Sequence, residues 1–275
     1  MVVWAAGFPA ADALLATWDP LAMVAGRFAM AMLVLLPVWL ALDGGPRGVP
    51  WGRGLGIGAL GFAGSATALI FAQAATDPVT VAVIASASPL TATLVEWASD
   101  RRPLTRSFLW GLAASVAGGV VATVGSGGGQ GDLALGVALA LLSCLLYSWA
   151  SHATVRRLPG HTALTQTSAT LLGALAAAIV VVVAAAALGR DVMPADPFAA
   201  RDLGLLAVYG MGGMAASQIL FIMAVRRIGV ALSSFHINVA PFYVMLILVA
   251  LGGDWSWIQA LGAAIVALGV VLAQR

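Results

Sequence analysis

The sequence contains no lysine: all 13 of its basic residues are arginine. A Walker-type phosphate loop requires a lysine that contacts the nucleotide phosphates, and Schiff-base catalysis requires a primary amine. The chain is therefore not itself an ATP-driven pump. Cysteine is nearly as scarce, because Cys144 is the only one. This excludes a disulfide framework and a thiolate metal site, and the sequence indicates no cofactor, no metal and no catalytic residue.

Charged residues are also few, at 9% of the chain, whereas 61% of the residues are hydrophobic. In a soluble domain about a quarter of the residues are charged. Because a soluble fold of this size cannot bury so much apolar surface, the sequence predicts that lipid is the solvent. The net charge of +2 does not indicate a nucleic-acid partner, since the arginines are spread over several loops. We expect an all-α polytopic membrane protein that forms one integrated bundle in the lipid bilayer.

Ten segments are long and apolar enough to be transmembrane helices, which need roughly 20 residues each. They lie at about 2–17, 21–42, 54–75, 79–98, 104–125, 132–151, 162–188, 202–225, 229–251 and 254–274. Turn signals such as "WDP" at 18–20 and "TDP" at 76–78 separate these segments. None of the connections is long enough to hold a soluble domain.

The placement of arginine predicts the orientation, because cytoplasmic loops of membrane proteins carry an excess of basic residues. With a cytoplasmic N-terminus, ten arginines fall at cytoplasmic ends: Arg47, Arg53, Arg101, Arg102, Arg106, Arg156, Arg157, Arg226, Arg227 and Arg275. The outer ends hold only Arg190 and Arg201. Both termini are therefore predicted to be cytoplasmic. The one arginine not assigned to a span end is Arg27, which lies inside the second span.

Two spans with a central proline indicate an internal repeat. Pro89 in "ASASPLTATLVEWASDRR" and Pro241 in "INVAPFYVMLILVALGGD" are 152 residues apart. The span after each proline carries two glycines seven residues apart, which predict close helix packing. They are Gly111 and Gly118 in the first half, and Gly262 and Gly269 in the second. We expect two repeats of five spans, 1–125 and 126–275, which are inverted because five is odd. Inverted repeats with interrupted helices are the architecture of secondary transporters.

A proline inside a helix leaves the carbonyl four residues earlier without its usual partner. The freed acceptors are predicted at Ala85 and Ile237, each followed by a polar residue, Ser86 or Asn238. Each half is then expected to offer a free carbonyl and a polar side chain at one depth. Irregular backbone is tolerated at membrane depth where it lines a cavity. A plain proline kink covered by neighbouring helices is the alternative.

Five stretches of the chain match a known family in their order and in their duplication. They are "WAAGFPA" at 4–10, "GRFAMAMLVLL" with Arg27, "SPLTATL" at 88–94, "AVRRIGVALSSFHINVAPFYVMLILVALGGD" at 224–254, and "ALGAAIVALGVVLA". The sequence thereby resembles the EamA-type branch of the drug/metabolite transporter superfamily. The family pattern has an acid about thirteen residues after the proline, which fits Asp254. Asp100 comes earlier, at eleven, so the first half departs from the pattern.

The resemblance implies a basket-like bundle with a central cavity, lined mainly by spans 1, 3, 4, 6, 8 and 9. It also implies a bacterial inner (plasma) membrane protein that exports amino acids or other small metabolites by alternating access. Within the group, this sequence is most similar to the bacterial aromatic amino-acid exporters. A proton-coupled drug or metabolite exporter is the alternative. An intramembrane protease and a membrane scaffold are remote alternatives, because "AGSATA" at 63–68 lacks the Gly-x-Ser-Gly order and a scaffold needs no repeat.

Polar and aromatic residues at membrane depth are the candidates for the substrate cavity. They are Trp4, Phe8, Ser86, Tyr147, Gln218, His236 and Asn238, with Pro89 and Pro241 as the helix breaks. Packing between helices, or an aromatic belt at the membrane surface, is the alternative for these side chains. The glycines of the third span could serve a homodimer, although packing within the bundle is the first interpretation. A monomer or a weak homodimer is expected.

Two charged residues fall inside the first two spans. Asp12 and Arg27 are each about seven residues from the turn at Asp19, which places both roughly 10 Å below the outer surface. We expect a structural ion pair between them, because an isolated charge inside a span is costly. An arginine that reaches the headgroups unaided, or one that binds a substrate carboxylate, is the alternative. Neither Asp12 nor Glu96 is central, so a facilitator or exchanger is expected rather than proton coupling.

Overall fold

The computed structural model describes residues 1–101, 105–124 and 132–273, and within these ranges the chain is helical with no strand. The helices are α1 (Val2–Leu15), α2 (Pro20–Asp43), α3 (Trp51–Ala75), α4 (Pro78–Asp100), α5 (Arg106–Val124), α6 (Leu133–Arg157), α7 (Ala163–Ala187), α8 (200–228), α9 (230–250) and α10 (Trp257–Ala273). The expected boundary between the repeats at 125/126, and the predicted cytoplasmic Arg102 and Arg275, lie outside the described residues.

Among the described residues, six helical stretches are long and apolar enough to cross a membrane: Pro20–Asp43, Trp51–Ala75, Pro78–Asp100, Leu133–Arg157, Ala163–Ala187 and Ala200–Ala250. The last has 51 residues, and at 1.5 Å per residue it would extend about 77 Å, far more than the roughly 30 Å of hydrocarbon. Gly229, with φ 82° and ψ 167°, interrupts it and separates α8 from α9. The chain is a multi-pass membrane protein; its ten spans and inverted repeat stay predictions.

Asp19-Pro20 and Asp77-Pro78 each begin a helix, whereas after Asp196-Pro197 the helix begins only at Ala200. Asp19 Oδ1 accepts a hydrogen bond from the backbone N–H of Leu21 at 2.8 Å. Asp77 Oδ1 accepts from the backbone N–H groups of Val79 and Thr80, both at 2.9 Å. The proline that follows Asp19 or Asp77 occupies the first turn, where its missing N–H leaves no bond unmade.

The two spans that contain Pro89 and Pro241 are irregular near these residues. Helix α4 consists of Pro78–Ala85 and Ser88–Asp100, and α9 contains the 3-10 turn Ser234–Val239 before Ala240–Ala250. The prediction of free carbonyls at these breaks is wrong. The Ala85 carbonyl accepts from the Ser88 hydroxyl at 2.5 Å, and the Ile237 carbonyl accepts from the Ala240 N–H. A serine hydroxyl at the first break and a backbone N–H three residues along the chain at the second replace the donor that proline lacks.

Helices α5 and α10 are antiparallel and meet through their paired glycines. A Cβ atom on Gly118 would lie 2.7 Å from the Gly262 carbonyl oxygen, and one on Gly262 would lie 2.7 Å from the Gly118 carbonyl oxygen. Gly111 and Gly269 make the same kind of contact about two helical turns further along the two helices. These contacts are reciprocal, which is the packing that an inverted repeat would produce.

Helices α3 and α8 also make corresponding contacts. Each contains a π-helical turn with a glycine at the same repeat offset, and the turns are Gly58–Ala63 and Val208–Ala216. A Cβ on Gly58 would meet the backbone of Thr170 in α7, and one on Gly210 would meet the backbone of Arg27 in α2. Helix α3 thus packs against α7 as α8 packs against α2.

The bundle has a lipid-facing surface of apolar side chains and an interior that includes many small polar ones. Leu42 of α2 and Val180 of α7 are exposed, as are many other leucines and valines. By contrast, Thr167, Ser168 and Thr170 of α7 are fully buried. This distribution is the one expected when hydrocarbon surrounds the protein, since polar groups are then disfavoured on the outer surface.

Candidate functional site

A cavity of about 550 Å³ lies between the helices. Its walls come from α1, α3, α4, α6, α8 and α9, which are the six that the family resemblance implies, and from α2 through Arg27. A volume of this size is within the roughly 300–1,000 Å³ of small-molecule sites, which are mostly apolar with a few polar groups. The cavity is therefore the candidate binding site of the protein.

One wall of the cavity is a row of rings. The Tyr147 ring contacts Phe62 with a centroid separation of 5.8 Å and Phe221 at 5.4 Å, and Phe221 lies 5.7 Å from the His236 ring. The Tyr147 hydroxyl donates to Gln218 Oε1 at 2.7 Å. The Gln218 Nε2 atom is buried and has no hydrogen-bond partner. The wall thus combines apolar faces with one amide donor that a bound molecule could use.

Arg27 brings a positive charge to the cavity. The residue is 5% exposed, and Nη1 donates to the Tyr209 hydroxyl at 3.2 Å. The guanidinium carbon lies 4.2 Å from the centroid of the Tyr209 ring, a cation–π contact. The predicted ion pair with Asp12 does not form, because the guanidinium contacts Tyr209 of α8, whereas the partner of the Asp12 carboxylate is Gln73. Equal depth on adjacent helices was not sufficient to bring the two charges together.

Four of the predicted cavity residues line the cavity: Trp4, Tyr147, Gln218 and His236. The His236 ring is held by a hydrogen bond from Nδ1 to the Ser233 carbonyl. Phe8 packs edge-on against Trp4, with centroids 5.0 Å apart, and borders a small separate void of about 10 Å³. The structure therefore brings these aromatic groups together but places Phe8 behind the cavity wall.

The remaining predicted residues lie outside the cavity lining. Ser86 is fully buried and donates to the Val83 carbonyl at 2.6 Å. Asn238 is buried, and its Oδ1 atom has no hydrogen-bond partner. Pro89 and Pro241 shape the two helix breaks but are not among the lining residues either. At the first break, Ser88 takes the position at the cavity that Ser86 was expected to hold.

Sequence reasoning missed a pair of serines in the lining. The hydroxyls of Ser65 in α3 and Ser143 in α6 are 3.0 Å apart, and both residues border the cavity. Ser65 belongs to the "AGSATA" stretch that superficially resembles a protease nucleophile, but its partner here is another hydroxyl rather than a base. Small polar residues inside an apolar span are the signal that could have identified them.

Polar contacts join the helices at both ends of the bundle. At one end, Asp202 Oδ2 accepts from the Thr17 hydroxyl at 3.0 Å and from Trp18 Nε1 at 2.9 Å. At the other, Glu96 Oε1 accepts from the backbone N–H groups of Val230 and Ala231 at 3.1 and 3.3 Å. The carboxylate thus caps the N-terminus of α9, where the helix dipole favours a negative charge. These contacts connect the turn between α1 and α2 to α8, and they connect α4 to α9.

Comparison with known proteins agrees with a transporter fold. Residues 1–124 match the model of the EamA-like transporter family, which suggests a membrane transporter of small metabolites. The chain is also similar to a crystal structure of a protein that is 22% identical, with a TM-score of 0.73; the match covers 99% of this chain and 92% of that one. It is among 21 chains of solved structures that match, and the likeness concerns the fold alone. None of the curated proteins matches the sequence.

Proposed function

We propose that the protein is a secondary transporter of the EamA type that exports small metabolites by alternating access. Amino acids with aromatic or other hydrophobic side chains are the proposed substrates, and the bacterial inner membrane is the proposed location. The observation that carries the proposal is the cavity of about 550 Å³ between the apolar helices. Its row of rings suits an apolar side chain, and Gln218 and Arg27 supply a few fixed polar groups, as small-molecule sites require.

The proposed architecture is ten transmembrane helices in two inverted repeats, 1–125 and 126–275, with both termini cytoplasmic. The reciprocal approach of Gly118 and Gly262 supports this arrangement. The break at Gly229 supports it as well, because it divides a stretch that is too long for one crossing. The contacts of Asp202 and Glu96 at opposite ends of the bundle are candidates for the closures that alternate during transport.

Single cysteines test this topology in a Cys144→Ala background. Arg47→Cys and Arg227→Cys should react with an impermeant maleimide only from the cytoplasmic side, and Asp196→Cys only from the outside. All three positions are exposed, so that access rather than burial decides the labelling. Reaction of Arg227→Cys and Asp196→Cys from the same side would contradict the inverted ten-helix arrangement.

Energy coupling is proposed to be exchange or facilitated diffusion. Proton-driven carriers usually hold a carboxylate near the membrane centre. Among the described lining residues there is no aspartate or glutamate. Glu96 instead caps α9, and Asp12 is exposed, which supports the assignment of both carboxylates to roles outside the binding site.

The function is tested by uptake of labelled phenylalanine, tryptophan and leucine into proteoliposomes, with unlabelled metabolites as competitors. His236→Ala removes a ring from the cavity. We expect it to lower uptake about 3- to 10-fold, which corresponds to the free energy of one lost hydrogen bond or contact. His161→Ala is the matched control, because His161 lies between α6 and α7 and is not among the lining residues. Equal uptake by the parent protein and His236→Ala would contradict the proposal that the cavity is the transport site.

A further inference from the structure

Arg27 is a buried cation whose hydrogen-bonding capacity is only partly used. Tyr209 accepts one bond from Nη1 and offers its ring face to the guanidinium. The Nε atom is buried and has no partner. A guanidinium has five N–H donors in a planar fork, and a charge removed from water without compensation is costly. A site that keeps such a group at the edge of a cavity is prepared for an acceptor that comes from outside the protein.

The acidic residues near this part of the fold have partners other than Arg27. Asp19 accepts two bonds from Arg190, at 2.7 and 3.0 Å. Asp202 accepts from Thr17 and Trp18. The partner of the Asp12 carboxylate is Gln73, and no acid occurs among the described residues that line the cavity. The positive charge of Arg27 is therefore not neutralised by a carboxylate of the described chain.

We propose that Arg27 binds the carboxylate of the transported molecule, so that the substrates are small amphipathic organic acids. The guanidinium fork fits a carboxylate with two parallel hydrogen bonds, which a point charge cannot do. The apolar part of the acid lies against the rings of Phe62, Tyr147 and Phe221. This assignment rests on the proposed transport function and specifies its substrate class.

The charges of the cavity lining distinguish the carboxylate of an amino acid from its ammonium group. The described lining offers a guanidinium for the carboxylate but no carboxylate for the ammonium group. The carboxylate is therefore required for binding, whereas the ammonium group is not. An acid without the amino group should bind at least as tightly as the corresponding amino acid, and an amide that lacks the charge should bind weakly.

The proposal is tested by binding of 3-phenylpropionate and 3-phenylpropionamide to the purified full chain, measured as shifts in thermal unfolding. The two probes share a ring and chain length and differ in charge. The parent protein should bind the carboxylate about 10- to 100-fold more tightly, as expected for charge-assisted hydrogen bonds. Arg27→Met should abolish the difference. Arg201→Met is the matched control, because the Arg201 side chain is 68% exposed, and it should retain the parental preference.

A second variant keeps the test decisive if Arg27→Met does not fold. Arg27→Lys preserves the charge but not the planar fork, so that it should weaken binding of the carboxylate about 10-fold and leave the amide unchanged. Equal binding of the two probes by the parent protein, or no binding of either, would overturn the proposal. Parental affinities in Arg27→Lys would do the same.

Uptake of the same probes and of phenylalanine distinguishes this proposal from the transport function. Carboxylate-dependent binding without uptake into proteoliposomes would support the Arg27 site and contradict the proposed transport function. Uptake of phenylalanine that Arg27→Lys leaves unchanged would retain transport and remove the Arg27 site. Loss of uptake in Arg27→Lys together with parental thermal stability would support both.

Discussion

The contact between α5 and α10 allows a sharp prediction, because neighbouring glycines of α5 differ in what surrounds them. A Cβ atom on Gly118 would lie 2.7 Å from the Gly262 carbonyl oxygen and 2.7 Å from the Val266 nitrogen. Both are backbone atoms, so that no rotamer change can make room and one of the helices must move. A Cβ on Gly119, one residue further along, would meet no atom within 4 Å other than its chain neighbours and the backbone of its own helix.

The magnitude follows from two terms that act on the free energy of unfolding. Gly→Ala in a helix adds roughly 1 kcal/mol through helix propensity, and this gain is common to both positions. Overpacking costs about 1–3 kcal/mol and applies at Gly118 alone. Gly118→Ala should therefore be about 1–3 kcal/mol less stable than Gly119→Ala, and Gly262→Ala, which meets the same contact from α10, should resemble Gly118→Ala.

Reversible unfolding in mixed micelles, followed by helical circular dichroism, measures these differences. Each variant is compared with the parent protein at the same lipid-to-detergent ratio, so that the solvent of the apolar surface is constant. Equal stability of Gly118→Ala and Gly119→Ala would refute the close α5–α10 contact. Destabilisation by Gly118→Ala without destabilisation by Gly262→Ala would refute its reciprocity and remove a main support of the inverted repeat.

Two further predictions concern the break before α9 and the cavity wall. Gly229→Ala should lower the free energy of unfolding by about 1–3 kcal/mol, because φ 82° is strained for a residue with a Cβ. Gly204→Ala is the control, because its position has open space around it, and it should not lower the free energy of unfolding. Equal free energies of unfolding for the two variants would contradict the strain at Gly229. Tyr147→Phe removes the hydroxyl that donates to Gln218. It should lower the free energy of unfolding by about 0.5–1.5 kcal/mol and reduce uptake. Parental values in the unfolding and uptake assays would show that this bond is dispensable.

Local chemistry made much of the helix layout predictable. Asp-Pro pairs favour helix starts, and both Asp19 and Asp77 cap helices in the structure. Proline cannot donate a backbone hydrogen bond, and the spans that contain Pro89 and Pro241 are irregular near these residues. Both signals act within a few residues of the chain, so that the sequence alone is sufficient to read them.

The details of the site depend on contacts between distant parts of the chain. Tyr209, the partner of Arg27, lies 182 residues further along, and no spacing rule indicates it. Ser86 was expected in the cavity from its distance to the proline. However, the Ser86 hydroxyl donates to the Val83 carbonyl, and Ser88 lines the cavity instead. Side-chain direction after a helix break is determined by tertiary packing, which a single sequence does not reveal.

The central claim, that the cavity carries small metabolites across the membrane, is tested most directly by counterflow. Proteoliposomes loaded with unlabelled phenylalanine are diluted into labelled phenylalanine, and the label inside is followed with time. An alternating-access exchanger predicts that loaded vesicles take up label faster and to a higher transient level than unloaded ones. Uptake no greater than that of protein-free liposomes, with or without loading and for every amino acid tried, would contradict the account.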